Sequence, residues 1–340
     1  MISDKRTNII EFRGARIPRF EANVLEELER QVSKEFTLVK TVMFDTIMGF
    51  SVKKERILEI GLHDCGLTTL PESIGQLSSL QELWMASNNL KVLPESIRKL
   101  SSLEVLCLHT NQLSSLPKSI GNLLSLEELN LYDNQLSTLP ESFSNLKSLK
   151  VLYLSRNDFA TLPESIGILS SLEELFASKN KITILPEFIG NLSSLEVLDV
   201  DGNQLLDLPG TITRLKTLQD LFIGNNNFKA LPESITMLKN LRLLDIDGIN
   251  IRILPESISK LSSLMILIVN NNKLKALPEL IGNLSSLIEL RAHNNQLKTL
   301  PESILGLNLL RILNVENNPL DARAQSMIEK LKKKGVNVSS

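Results

Sequence analysis

The 340 residues are 42% hydrophobic, 4% aromatic and 22% charged, with a net charge of −2. That composition is globular, and the near-neutral charge gives no pull toward nucleic acid or an anionic membrane. Two cysteines cannot build a disulfide framework, the charged start Met1–Arg16 has no apolar signal core, and no window approaches ~18 uninterrupted apolar residues, so the expectation is a cytoplasmic chain that spans no membrane.

Residues 1–56 show no internal repeat. Glu21 to Ser33 reads as a helix with Val24, Leu25, Leu28 and Val32 on one face. Thr37 to Phe50 is rich in β-branched and aromatic residues and reads as one or two strands. Phe12, Phe20, Phe36, Phe44 and Phe50 are five of the eleven phenylalanines. Together they suggest an N-terminal cap over 1–56.

From Ile57 the chain is periodic. Eleven of thirteen prolines stand 23 residues apart, from Pro71, Pro94 and Pro117 through to Pro301. One unit reads Leu126-x-x-Leu129-x-Leu131-x-x-Asn134-x-Leu136-x-x-Leu139-Pro140. A fixed period in the twenties signals a solenoid. The alternation around Leu129 and Leu131 is that of a short strand, and one such strand cannot bury its apolar side alone. Stacked units yield a parallel sheet and a continuous leucine core. An asparagine after each strand, as at Asn88, Asn134, Asn157 and Asn203, can hydrogen-bond the backbone of the turn, while proline keeps the return segment out of the sheet. Cys65 and Ile249 occupy the asparagine slot in two units, so the turn Asp247-Gly248-Ile249-Asn250 is expected to deviate.

This motif resembles the leucine-rich repeat family from about Ile57 to Leu320. The Leu-Pro-Glu-Ser-Ile-Gly-Asn-Leu segment is similar to the 23-residue Ras-group subclass, which includes plant intracellular Ras-group proteins and Scribble-like scaffolds. The resemblance implies an α/β fold: a right-handed solenoid, or horseshoe, of about 12 units with a parallel concave sheet, repeats over 57–318 and capped ends. It also implies a protein partner, with a small GTPase or signalling protein as one candidate. The last segment, 319–340, reads as a capping helix from Asp321 to Lys334, with Ala324, Ile328 and Leu331 turned to the core and Gly335 ending it.

With the first leucine of a unit as position 1, positions 3, 5, 7 and 8 face away from the core. Position 5 holds Trp84, Cys107, Tyr153, Phe176, Asp199, Phe222 and Asp245, and position 7 holds His63, His109, Tyr132, Asp201 and Asp247. The only Trp, both Tyr and all three His lie in these two columns. Exposed aromatics are enriched at protein interfaces. Acidic residues crowd the same side, with Asp199, Asp201, Asp220, Asp245 and Asp247 as a cluster that repels phosphates and suits a basic partner. Trp84, Tyr132, Tyr153, Phe176, Asp199, Asp201, Phe222, Asp245 and Asp247 are therefore the expected partner-binding residues. β-propensity and a solvated acidic surface are the plain alternatives.

Catalytic and metal-binding patterns are missing. Walker A, GxSxG, HExxH and dinucleotide fingerprints do not occur. His63 and His109 lie two repeats apart, roughly 10 Å, too far for one zinc ion, and Cys65 is expected inward with Cys107 outward. The reading is a non-catalytic, monomeric protein-interaction scaffold without cofactor, metal or nucleic-acid partner. Alternatives are a substrate-recruiting or regulatory subunit of an enzyme complex, and a structural or adhesion protein.

Overall fold

Each 23-residue period lays down one short strand, an asparagine turn and a 3₁₀ turn that starts after the proline. The computed structural model describes residues 8–340 and falls into two units, Met1–Phe159 with Pro163–Leu172 and Ala160–Leu162 with Glu173–Ser340.

The first unit opens with an antiparallel hairpin, β1 (Ile9–Phe12) and β2 (Ala15–Pro18), that leads into α1 (Arg19–Val32). Ala22, Val24, Leu25 and Leu28 are buried on the helix, Val32 is half-buried, and Ser33 ends it in the left-handed region at φ 53°. The apolar spacing located the helix but not its buried carboxylate. Glu21 is fully buried, accepts the Ile57 amide at 2.9 Å and pairs with Arg56. It fastens α1 to the start of the first repeat strand. Burial pushes its pKa up, against the opposing pull of these two partners.

The hairpin was not visible as a pattern, and the strands expected over Thr37–Phe50 shrink to β3 (Thr37–Leu38) and the start of β4 (Gly49–Lys53). β4 runs antiparallel to β5 (Arg56–Gly61) through a two-residue turn in which Lys54 and Glu55 both have positive φ. The sheet of this unit is thus parallel from β5 onward, preceded by the antiparallel step β4–β5 and the short parallel pair β3–β4. Phe50 gathers Phe12 and Phe36 at ring distances of 6.0 and 6.1 Å, and Arg56 lies over Phe20. Phe44 does not join them: it is 63% exposed.

Strands β6 (Glu82–Trp84), β7 (Val105–Cys107), β8 (Glu128–Asn130) and β9 (Val151–Tyr153) continue the parallel register, Leu83 opposite Leu106 and Leu106 opposite Leu129. The leucines of the pattern are buried throughout. Each return segment is a 3₁₀ turn, such as Glu95–Lys99 after Pro94, and not an α-helix. Five residues between a proline and the next leucine leave room for one tight turn only.

The asparagines work as the sequence suggests. Asn134 accepts the Leu113 amide at 2.9 Å and donates to the Leu108 and Leu131 carbonyls at 3.0 and 3.2 Å, joining one turn to its neighbour. Where the asparagine is replaced, the backbone bends instead. Gly66, after Cys65, and Asn250, after Ile249, adopt φ of 70° and 62°, and among the described residues no other repeat has a positive φ at that position. The Ile249 turn deviates as expected, and the Cys65 turn does the same.

The second unit repeats the plan. β10 (Glu174–Phe176), β11 (Val197–Asp199), β12 (Asp220–Phe222), β13 (Leu243–Asp245), β14 (Ile266–Ile268), β15 (Glu289–Arg291) and β16 (Ile312–Asn314) pair in parallel. α2 (Ala322–Lys333) begins at Asp321, whose carboxylate accepts the Ala324 amide at 2.9 Å, and buries Ala324, Met327, Ile328 and Leu331. Beyond Gly335 a further strand, β17 (Asn337–Ser339), pairs with β16. Three residues of alternating pattern are too little signal to expect it.

Candidate functional site

In the first unit the strand alternation brings Trp84, Tyr132 and Tyr153 to the open side of the sheet, with neighbouring strands about 4.8 Å apart. The Trp84 indole donates to Glu82 at 2.9 Å, and burial raises the pKa of that carboxyl. The Arg156 guanidinium lies 5.8 Å over the Tyr132 ring, and the Tyr132 amide donates to Asn130 Oδ1 at 3.0 Å. All three aromatics are half-buried, which holds their rings while leaving area to offer.

Two expectations for this side need correction. Cys107 sits in the outward column yet is only 2% exposed, and burial pushes its thiol up to about 11. It is a small apolar filler, not a reactive group. The side of the first repeat is also covered. The Val42 amide donates to Glu59 at 2.7 Å, and the Thr46 carbonyl accepts the His63 amide at 3.1 Å, so the loop between β3 and β4 lies across β5. A Cβ on Gly61 would sit 2.8 Å from Thr46. Gly61 is the one glycine in column 5, and that was the available signal for a covering segment. The loop turns Met43, Phe44 and Ile47 outward to solvent.

In the second unit column 5 alternates aromatic and acid. Phe176 is opposite Asp199, Asp199 opposite Phe222, and Phe222 opposite Asp245. Asp199 and Asp245 each accept the amide two residues on, from Asp201 and Asp247, at 2.9 Å. Asn314 does the same for Glu316 at 3.1 Å, so part of each aspartate's role is to hold its own turn. Asp201 and Asp247 accept from the side chains of Asn225 and Asn271 at 3.0 and 2.8 Å. Gly224 between them is buried, and a Cβ there would lie 2.7 Å from Asp201 Oδ1. A side chain there would collide with Asp201 and with the Asp247 backbone, so the position between the two acidic turns stays small. Burial raises the pKa of Asp199 and Asp220. Asp245 is pushed up to about 6 by burial, then by the charges of Asp247, Asp201 and Asp199.

This shift has a measurable sign. A carboxyl whose folded pKa exceeds its ordinary value binds its proton more tightly in the folded chain, so its contribution stabilises below pH ~4 and is lost as pH rises through about 6. Asp245→Asn keeps the acceptor for Asp247 and removes the charge. The variant is expected to melt above the parent at pH 7.5, with the gap closing by pH 4.5. An equal gap in thermal melts at both pH values contradicts the assignment.

The histidines do not form a site. His109 has its pKa lowered by burial and then by His63, and among the described residues no group of three or more His, Cys, Asp or Glu could hold a metal ion. Among the same residues no helix is long and apolar enough to cross a membrane.

Comparison with known proteins agrees with this geometry. A family profile described as a leucine-rich repeat region matches residues 56–135, 103–183, 129–201 and 211–334. Among solved structures, a leucine-rich repeat protein of Leptospira interrogans is 33% identical over 83% of this chain and 84% of its own, with a TM-score of 0.65. The Arabidopsis receptor kinase HAESA, solved with the peptide hormone IDA and the co-receptor SERK1, is 29% identical over 83% of this chain, with a TM-score of 0.69. The chain covers 50% of that receptor. An internalin of Listeria monocytogenes shares the fold at 20% identity over 94% of both chains, with a TM-score of 0.64. No curated protein matches.

Proposed function

The chain belongs to the leucine-rich repeat family, and on that premise we propose that it is a non-catalytic scaffold that binds a protein partner on the solvent side of its sheets. Proteins of this fold serve broadly as protein-interaction scaffolds. The observation that carries the reading here is the aromatic set on the sheets: Trp84, Tyr132 and Tyr153 in one unit, and the Phe176-Asp199-Phe222-Asp245 alternation in the other. Half-buried aromatics are held in place before binding and so lose little freedom on contact. The aspartates around Phe222 favour a partner whose contact surface is basic. The Ras-group likeness of the repeat makes a small GTPase or signalling protein a candidate. A cytoplasmic location belongs to the same reading, and the two free cysteines, both buried, support it.

The test is affinity capture from the native cell with the immobilised full chain, followed by surface-plasmon kinetics on the captured partner. Tyr132→Ala with Tyr153→Ala is expected to weaken binding by roughly 30-fold, the equivalent of about 2 kcal/mol, with an unchanged melt. Asp199→Asn with Asp245→Asn is expected to slow association, and the loss should shrink at high salt. Parent-like binding by both double variants overturns the reading. A catalytic subunit as the captured partner would move the function to a recruiting role in an enzyme complex.

A further inference from the structure

Behind the acidic sheet of the second unit, charge of the opposite sign is laid out in a row. Lys229, Arg252, Lys275 and Lys298 stand 23 residues apart, at the same position in four consecutive repeats, between the asparagine turn and the proline. All four are exposed. Their segments are held in step by backbone hydrogen bonds, including Lys273 to Ile251 and Gln296 to Leu274, each at 2.9 Å. Among the described residues no carboxylate lies within 4.0 Å of any of the four cations.

Three of the four neighbouring carboxylates already accept hydrogen bonds or an ion pair from other groups. Glu256 accepts the amides of Glu279 and Leu280 at 2.8 and 3.0 Å, Glu233 accepts the Ser257 hydroxyl at 2.7 Å, and Glu302 pairs with Arg323 at 3.2 Å. Only Glu279 of this group has no such partner. In the middle of the row Arg252 and Lys275 border a cleft of about 410 Å³ whose wall includes Ile253, Ala276 and Pro278, with the carboxylates Glu256 and Glu279 at the same cleft. Ile253 is 75% exposed, an aliphatic side chain left open beside two cations.

We propose that this flank docks an acidic, extended peptide segment of a partner protein, with its carboxylates along Lys229, Arg252, Lys275 and Lys298 and one apolar side chain against Ile253 in the cleft. Four repeats span roughly 15 Å, the length of about four or five extended residues. That length suits a short peptide. A nucleic acid would need a longer basic track, since its affinity comes from many neutralised phosphates, and it would gain nothing from the aliphatic cleft. This site is separate from the sheet surface, so the two assignments stand or fall independently.

The probe is a fluorescein-labelled heptapeptide of six acidic residues around one leucine, titrated with the full chain and read by fluorescence anisotropy. Arg252→Gln with Lys275→Gln is expected to lose at least 10-fold in affinity, and Ile253→Ser several-fold, with melts equal to the parent. The same peptide with glutamine for every acid should bind at least 10-fold more weakly, and added salt should weaken the acidic peptide. Tyr132→Ala with Tyr153→Ala should leave this binding unchanged. No binding of the acidic peptide, equal binding by the Arg252/Lys275 double variant, or tighter binding of a single-stranded oligonucleotide of the same charge overturns the proposal.

Discussion

Removal of residues 1–56 is expected to abolish cooperative melting and to drive the chain to aggregate. The segment covers Ile57, Ile60 and Leu62, all fully buried at the start of the array. It supplies β4, which hydrogen-bonds along the length of β5, and Glu21, which satisfies the Ile57 amide. Deletion leaves an unpaired strand edge beside an open leucine layer, the arrangement that natural sheets avoid. Terminal repeats of a solenoid have only one neighbour and need a cover with a polar outer side. Size-exclusion chromatography and a urea melt check this. A monomeric truncation that melts cooperatively at the parent's midpoint contradicts it. Glu21→Gln serves as the milder companion: it keeps the shape but sets an amide N–H against one of the two donors, Arg56 or the Ile57 amide, and should lower the midpoint while leaving the chain monomeric.

Asn157→Ala is expected to cost the array roughly 3 kcal/mol, the upper end of the range for stranding buried polar groups. Its carboxamide oxygen accepts the Leu136 amide at 2.9 Å, and its nitrogen donates to the Leu131 and Leu154 carbonyls at 2.8 and 3.1 Å. Asn157 is buried, so water cannot replace it without a rearrangement of the turn. Asn318 makes the same set of bonds, to Leu297, Ala292 and Val315, at the half-buried end of the second unit. Asn318→Ala should therefore cost clearly less. Denaturant melts of the two variants decide the matter: Asn157→Ala as stable as the parent, or no difference between the two, would refute the account of the asparagine turns.

The repeat was legible because a period of 23 repeats its own evidence. Each leucine, asparagine and proline slot is read about a dozen times, and the registers of β6 to β9 and of β10 to β16 follow directly. The segments outside the period carry each signal once. The strands β1, β2 and β17 are four residues or fewer each, and the covering loop over β5 is marked only by Gly61. The surface columns were legible as directions but not as exposures. Cys107 points outward and is closed over all the same, and Asp199 and Asp245 are tied to their own turns, which no alternation of inward and outward positions reveals. Glu21 illustrates the other blind spot, since an acid on a helix is read as a solvent-facing residue until the amide it caps is seen. The basic row at Lys229 to Lys298 was present in the sequence as a period, but its meaning depends on which carboxylates are already engaged.

Hydroxyl-radical footprinting of the full chain, alone and saturated with its captured partner, tests the binding surface most directly, because it reads side-chain exposure residue by residue. Trp84, Tyr132, Tyr153, Phe176 and Phe222 should lose reactivity in the complex. Leu124, Ile168 and Met237, exposed apolar side chains of the return segments, should keep theirs. Protection of Leu124, Ile168 and Met237 with unchanged reactivity at the five aromatics would place the partner on the opposite side of the repeats and contradict the proposal.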